Sequence, residues 1–268
     1  GLDCANGSAW ALAKTVFDAL GAQVRCIGVS PDGTNINAEC GSTRPERFCE
    51  VVRLHSLDLG FAFDGDADRC ICVDERGEVV DGDGILWVCA KDMHERGELG
   101  GGGVVTTVVS NGGLARALER SGILCTRTQV GDKYVAEEMA RRGALLGGEP
   151  SGHIVFRKYS TTGDGILTAL RVAEIVLERK CPLSFLTRGY VPLPQKKRDV
   201  PVPGGAAILE REDVRAAIAR AQGEDVRMVV RASGTEPVVR IFAQGDEAAA
   251  EGALRLVERA VRAAAEEL

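Results

Sequence analysis

The sequence predicts an α/β protein: two similar α/β domains with mixed sheets, followed by a smaller C-terminal α/β domain. Three observations predict it. Short apolar and β-branched runs alternate with segments of helical period. The alternation runs twice over similar lengths, restarting after the glycine run Gly100–Gly103, so one architecture is used twice. A stretch rich in proline and charge, Leu193-Pro194-Gln195-Lys196-Lys197-Arg198, then separates a shorter third segment. The expected domains are residues 1–97, 98–190 and 191–268, which suits a chain of 268 residues.

The elements follow in order. Gly1-Leu2-Asp3-Cys4 reads as the end of a strand whose beginning lies outside this sequence, and the chain is expected to be part of something longer. Ser8 is placed to cap a helix to about Leu20, with Leu12, Val16 and Leu20 on its inner face and Gly21 closing it. Val24–Val29 is an expected strand and Ser30-Pro31-Asp32-Gly33 a turn. Residues 34–57 show little period apart from a helix over Pro45–Val52. Leu59–Phe63 is a buried strand, Cys70–Val73 another, and a helix runs from Gly84 to about Met93. In the second segment the expected strands are Val104–Val109, Thr126–Val130, Ala144–Leu146 and His153–Phe156. Its helices are Asn111–Arg120, with Leu114 and Leu118 inward, Tyr134–Arg141, and Gly163–Arg179. The third segment gives a helix over Glu212–Ala221, strands at Arg227–Val230 and Val238–Ala243, and a terminal helix from Asp246 with Leu254, Val257 and Val261 inward.

Composition narrows the function classes. The net charge of -6 and the low aromatic content of 4% argue against nucleic acid and anionic membrane as partners. No apolar run reaches transmembrane length and no signal-peptide pattern opens the chain. The nine cysteines contain no Cys-x-x-Cys pair, so reduced thiols of a cytoplasmic protein are expected rather than a zinc or redox site.

The densest chemistry is Asp64-Gly65-Asp66-Ala67-Asp68-Arg69, directly after an apolar strand. Carboxylates at i, i+2 and i+4 point one way in extended backbone, and the small residues between them let the chain fold in. Three like charges so close need a cation, and a hard divalent ion with oxygen ligands, Mg²⁺, fits best. Arg69 adds a planar fork suited to phosphate. The competing reading is an acidic, solvated turn. Arg231-Ala232-Ser233-Gly234-Thr235-Glu236-Pro237 joins two strands; its hydroxyls, its glycine and the flanking Arg231 and Arg240 suit a phosphate dianion, against a plain β-turn. Gly147-Gly148-Glu149-Pro150-Ser151-Gly152-His153 joins two more. Glu149 and Ser151 can grip hydroxyls of a polyol or sugar, and His153 is either a general acid or base or a structural histidine. Lys133 either neutralises phosphate or follows Asp132 as a helix cap. Thr161-Thr162-Gly163-Asp164-Gly165 reads as a helix N-terminus.

In this order and spacing, Asp-Gly-Asp-Ala-Asp-Arg, Gly-Glu-Pro-Ser-Gly-His and Arg-Ala-Ser-Gly-Thr-Glu-Pro resemble the α-D-phosphohexomutase family over the whole chain. Asp3–Gly7, Asn35–Gly41, Ser110–Leu114 and Thr161–Gly165 resemble its branch that acts on glucosamine phosphates. The resemblance implies that Asp64, Asp66 and Asp68 hold Mg²⁺ and that Arg69 lies beside the transferring phosphoryl group. It implies that His153 and Lys133 line the centre, with Arg69 as the catalytic set, and that Glu149 and Ser151 bind sugar hydroxyls. Arg231, Ser233, Gly234, Thr235 and Arg240 would grip the other phosphate of a hexose or hexosamine phosphate. The implied chemistry is two phosphoryl transfers through a bisphosphorylated sugar. Relatives carry a phosphoserine in a Ser-His-Asn-Pro-type loop of a first domain, so the three segments here would be the family's second to fourth domains, and that N-terminal domain a partner of this chain. No such loop occurs in these residues, and the chain alone is expected to bind Mg²⁺, and sugar phosphate weakly, without turnover. A mannose or glucose phosphate mutase of the same family, a haloacid-dehalogenase-like phosphatase with Asp64 as nucleophile, and a non-catalytic sugar-phosphate sensor are the alternatives.

Overall fold

The computed structural model describes residues 1–202, 205–223, 226–233 and 236–266, with backbone alone at 205–206. Contacts divide the chain into two units: Gly1–Ser110 with Leu114–Val191, and Asn111–Gly113 with Pro192–Leu268.

The first unit holds two sheets. The first comprises β1 (Leu2–Asp3), β2 (Cys26–Ile27), β3 (Gly60–Phe63), β4 (Cys70–Val73) and β5 (Val79–Val80), in the order β2-β1-β3-β4-β5. β1 runs parallel to both β2 and β3, while β3–β4 and β4–β5 are antiparallel. Helices α1 (Ala9–Ala19) and α2 (Glu46–Leu54) lie between these strands in the chain, and α3 (Gly82–Glu95) follows them. The second sheet comprises β6 (Val104–Thr107), β7 (Cys125–Thr128), β8 (Leu146–Gly148) and β9 (Ile154–Phe156), in the order β7-β6-β8-β9. Again the central strand is parallel to both neighbours and the last pair is antiparallel. Helices α4 (Gly112–Arg120, from Leu114 onward), α5 (Asp132–Arg142), α6 (Gly165–Arg179) and α7 (Leu183–Leu186) complete this half. The shared order and directions bear out one architecture used twice, and they put the β3–β4 loop and the β8–β9 loop at equivalent positions.

Residues of β3, β4 and β6 are buried throughout, as their continuous apolar runs predict for strands covered on both faces. One apolar core, including Phe61, Phe63, Ile85, Leu86, Leu114, Leu118, Val172 and Ile175, runs through the unit. The expected inner face of α1 is corrected. Ala9, Ala13 and Phe17 are buried, whereas Leu12 and Leu20 are exposed. Both rows have helical spacing; the alanines let the helix approach closely, and Phe17 reaches the Phe61 ring at 5.5 Å between centroids. Ser8 precedes α1, but its side chain makes no capping hydrogen bond. Asp164 does cap α6, accepting from the Leu167 N–H at 2.9 Å.

The second unit carries a three-stranded antiparallel sheet in the order β10-β12-β11, from β10 (Gln195–Pro201), β11 (Val226–Ala232) and β12 (Val238–Gly245). α8 (Gly205–Ile208), α9 (Glu212–Ala221) and α10 (Glu247–Glu266) accompany it. Leu254, Val257 and Val261 of α10 are fully buried, as expected, with Val239, Ile241 and Ala243 of β12. β10 runs through part of the stretch read as a boundary: its lysines and arginine belong to an edge strand, where charge guards against pairing with another chain. Among the described residues no helix is long and apolar enough to cross a membrane.

Candidate active site

The acidic loop sits at the turn between β3 and β4. Its backbone is curled rather than extended: residues 65–68 form a turn and bend, and Ala67 has a φ of 62°. The carboxylates therefore converge by coiling, which corrects the expectation from i, i+2, i+4 spacing. The outcome stands: ligand oxygens of Asp64, Asp66 and Asp68 lie within 4.8 Å of one another. Asp64 is 1% exposed, at the end of a buried strand. Its Oδ2 accepts from Arg69 Nε at 2.7 Å and pairs with Nη2 at 2.6 Å, while Oδ1 accepts the Arg69 backbone N–H at 3.1 Å. Arg69 Nε also lies 3.4 Å from Asp68 Oδ1. Burial pushes the Asp64 carboxyl up to about 6 against the pull of Arg69, and a hydrogen bond from Asp64 holds Asp66 below the usual carboxylate range. Three hard oxygen donors, with a guanidinium already drawn onto two of them, are a donor set suited to a divalent cation.

Three segments far apart in sequence brace this loop. From the N-terminal side, Ser8 N–H donates to Gly65 O at 2.8 Å, and a Cβ on Gly7 would lie 2.3 Å from the same oxygen. The Asp3–Gly7 segment is itself tied to Asn35–Gly41. Buried Asp3 accepts from Ala5 N–H and, at 2.7 Å, from Gly41 N–H, and Asn37 N–H donates to Ala5 O. From the second sheet, the β8–β9 loop brings Gly152 O to the Cys70 N–H at 3.0 Å and His153 Nδ1 to Asp68 Oδ2 at 3.0 Å. Finally, Gly163 N–H donates to His153 Nε2 at 3.0 Å, and Gly165 N–H to Ala67 O at 2.9 Å. The role of Gly163 and Gly165 in the loop was not read from sequence. The signal available is the Gly-Asp-Gly spacing, which reads as a helix start and, with Thr161 and Thr162, as part of the family resemblance.

The remaining expected residues of this unit are less embedded. Glu149 Oε1 accepts the Gly131 N–H at 2.8 Å, which ties the β8–β9 loop to the start of α5, beside Lys133. The Lys133 side chain is 74% exposed, with Glu137 at 3.9 Å. Asp132 accepts the Lys133 N–H at 2.7 Å, but the residue ahead of α5 is Gly131. Ser151 is exposed. Pro150 O accepts from Gly82 N–H at 3.0 Å, so the N-terminus of α3 supports this loop.

In the second unit, Arg231 and Arg240 are directly opposed across β11 and β12, and Asp199 is opposed to Arg240 across β10 and β12. The three side chains therefore share one face of the sheet. Arg240 forms an ion pair with Glu236 and lies 3.8 Å from Asp199. Ser233 Oγ accepts the Glu236 N–H at 3.3 Å. Gly234 and Thr235 lie outside the described residues. Opposed arginines repel, and an anion shared by them relieves that cost.

Three family models match consecutive stretches: phosphoglucomutase/phosphomannomutase alpha/beta/alpha domain II over residues 1–77, alpha/beta/alpha domain III over 81–192, and the C-terminal domain over 190–261. The first two part upstream of α3, whereas the sequence reading divided the chain after it, at 97/98. A phosphoglucosamine mutase from Lachnospira eligens is 53% identical over 247 residues, which cover 91% of this chain and 55% of that protein. A phosphoglucomutase/phosphomannomutase family protein from Burkholderia thailandensis, at 25% identity, matches 98% of this chain and 60% of its own with a TM-score of 0.80. The N-acetylphosphoglucosamine mutase of Aspergillus fumigatus, solved with GlcNAc-6P and magnesium, has the same TM-score of 0.80 over 97% of this chain and 65% of its own; at 22% identity that likeness is one of fold. The chain spans little more than half the length of the curated relatives it matches.

Proposed function

Since this chain belongs to the phosphoglucomutase/phosphomannomutase family, we propose that it is the metal- and sugar-phosphate-binding part of a phosphoglucosamine mutase. That enzyme interconverts glucosamine 6-phosphate and glucosamine 1-phosphate through a bisphosphorylated sugar, a step toward a cell-wall precursor. The observation that carries the proposal is the meeting of two equivalent hairpin loops, with Asp68 of one on His153 of the other. The 53% identity to a phosphoglucosamine mutase supports the hexosamine as substrate.

Asp64, Asp66 and Asp68 would hold Mg²⁺, which suits their oxygen donors and the magnesium of the Aspergillus structure. Bound there, the ion would supply charge neutralisation for a phosphoryl group in transfer. Arg69, once released from the carboxylates, turns its fork to the same phosphoryl oxygens. Lys133 adds a mobile positive charge, and Glu149 and Ser151 accept and donate to ring hydroxyls. Arg231, Ser233, Gly234, Thr235 and Arg240 take the phosphate that is not being transferred, with Arg240 exchanging Glu236 for the dianion. Phosphoryl transfer needs mainly positioning and neutralisation, and these groups supply both. Turnover also needs a phosphoryl donor. These residues contain no Ser-His-Asn-Pro-type loop, so a phosphoserine domain is the partner the activity requires, and the chain by itself binds without interconverting. Nine free cysteines support a reducing, cytoplasmic setting.

A phosphatase using Asp64 as nucleophile is disfavoured, because the family models that match along the chain are those of phosphoglucomutase/phosphomannomutase domains. The choice between hexosamine and mannose or glucose is tested by competition. Glucosamine 6-phosphate is expected to bind this chain, in Mg²⁺, more tightly than mannose 6-phosphate or glucose 6-phosphate; equal or inverted order would favour another mutase of the family.

A further inference from the structure

We infer that His153 is a positioning residue for the acidic loop: its Nδ1–H fixes the Asp68 carboxylate, and the turn Thr161–Gly165 fixes its ring. The inference rests on the reading of the aspartate triad as a metal site.

The tautomer follows from the partners. Gly163 N–H can only donate, and it lies 3.0 Å from Nε2, so Nε2 accepts through its lone pair. The ring proton is therefore on Nδ1, which faces Asp68 Oδ2 at 3.0 Å and donates to it. The residue is 5% exposed. With a partner on each nitrogen, the ring is held in one orientation behind Asp68.

The turn leaves the ring little room. A Cβ on Gly163 would stand 2.5–2.6 Å from Cε1, Nδ1 and Nε2, so the glycine lies flat on the imidazole and excludes any larger residue. Two residues on, Gly165 N–H donates to Ala67 O, and a Cβ there would meet Arg69 O at 2.5 Å. The same short turn thus holds the histidine with one N–H and the backbone of the acidic loop with another. On the opposite side Gly152 O accepts the Cys70 N–H. Hydrogen bonds that orient a ligand from behind raise the affinity of a metal site without touching the metal.

The test is Mn²⁺ titration of the 268-residue chain, with free Mn²⁺ read by electron paramagnetic resonance. His153→Asn keeps an N–H donor near the place of Nδ1, whereas His153→Gln carries its donor near the place of Nε2 and His153→Ala has none. Binding by His153→Asn is expected within about twofold of the parent, while His153→Gln, His153→Ala and Gly163→Ala weaken by about tenfold. Asn and Gln are close in size to each other, so their contrast does not depend on whether the alanine variant folds. Parental affinity in His153→Ala, or an Asn variant as weak as the Gln variant, overturns the inference. Failure of the parent chain itself to bind Mn²⁺ would instead remove the metal reading on which it rests.

Discussion

Asp64 is the residue at which folding and function conflict. It ends a buried strand, is almost inaccessible, and has its carboxyl pushed up to about 6, chiefly by burial. A folded-state value above the unfolded one means that the native state holds a proton the unfolded state has lost. Stability from this group is therefore full below about pH 4 and is lost as pH rises through about 6. A cation on the triad favours the ionised form and removes that loss. Thermal melts in chelator should accordingly fall from about pH 5 to about pH 7 relative to Asp64→Asn, and millimolar Mg²⁺ should abolish the difference. Equal pH profiles for the parent and Asp64→Asn in chelator would show that the carboxyl is unstrained. The same substitution should weaken Mg²⁺ at least about tenfold at neutral pH, read by calorimetry. At this scale the three aspartates and Arg69 were legible, because clustered carboxylates beside an arginine after an apolar strand have few other uses. The partner of His153 was not, since Asp68 lies 85 positions earlier and no local pattern encodes so distant a hydrogen bond.

Among the elements, the two hairpins β3–β4 and β8–β9 do the positioning, and their contact depends on one glycine. Gly152 has a φ of 92°, and a Cβ there would lie 2.3 Å from the Cys70 carbonyl oxygen. Gly143, at the end of α5, has a φ of 69° with nothing within 4 Å of a Cβ. Both Gly→Ala variants pay backbone strain of about 1 kcal/mol. Only Gly152→Ala adds a clash with backbone, worth a further ~1–3 kcal/mol, and only it should weaken Mn²⁺ binding. A Gly152→Ala melt no lower than that of Gly143→Ala would refute the close approach. Most elements were readable from period and turn residues: α4, α6, α10 and the strands β3, β4 and β6 follow their apolar patterns. α1 was readable as a helix but not by face, because alanine buries as well as leucine when helix and sheet come close. β10 was missed because Lys196, Lys197 and Arg198 carry little apolar alternation, and its strand state comes from pairing with β12.

For the molecule as a whole, a net charge of -6 means that the phosphate affinity proposed for it would have to come from local placement of arginines rather than from overall attraction. The opposed pair Arg231 and Arg240 provides such a placement in one unit, and Arg69 beside the triad provides it in the other. On the proposed function, Glu236 and Asp199 beside Arg240 would compete with phosphate for it, so Glu236→Gln is expected to tighten inorganic phosphate by a few fold, measured by calorimetry, and a weakened affinity would contradict that exchange. The motifs in order carry the family resemblance in the sequence itself, while the bracing of the acidic loop by three remote segments belongs to the folded chain alone. The proposed function has the metal loop take one phosphate of a sugar bisphosphate and the arginine pair the other. Its most direct test is calorimetric titration of glucosamine 1,6-bisphosphate into the chain with Mg²⁺. Saturable binding is predicted, weakened about tenfold or more by chelator, by Asp64→Asn and by Arg240→Ala separately, as expected for loss of charged hydrogen bonds. Binding indifferent to either end, or no binding by the parent chain, would contradict it.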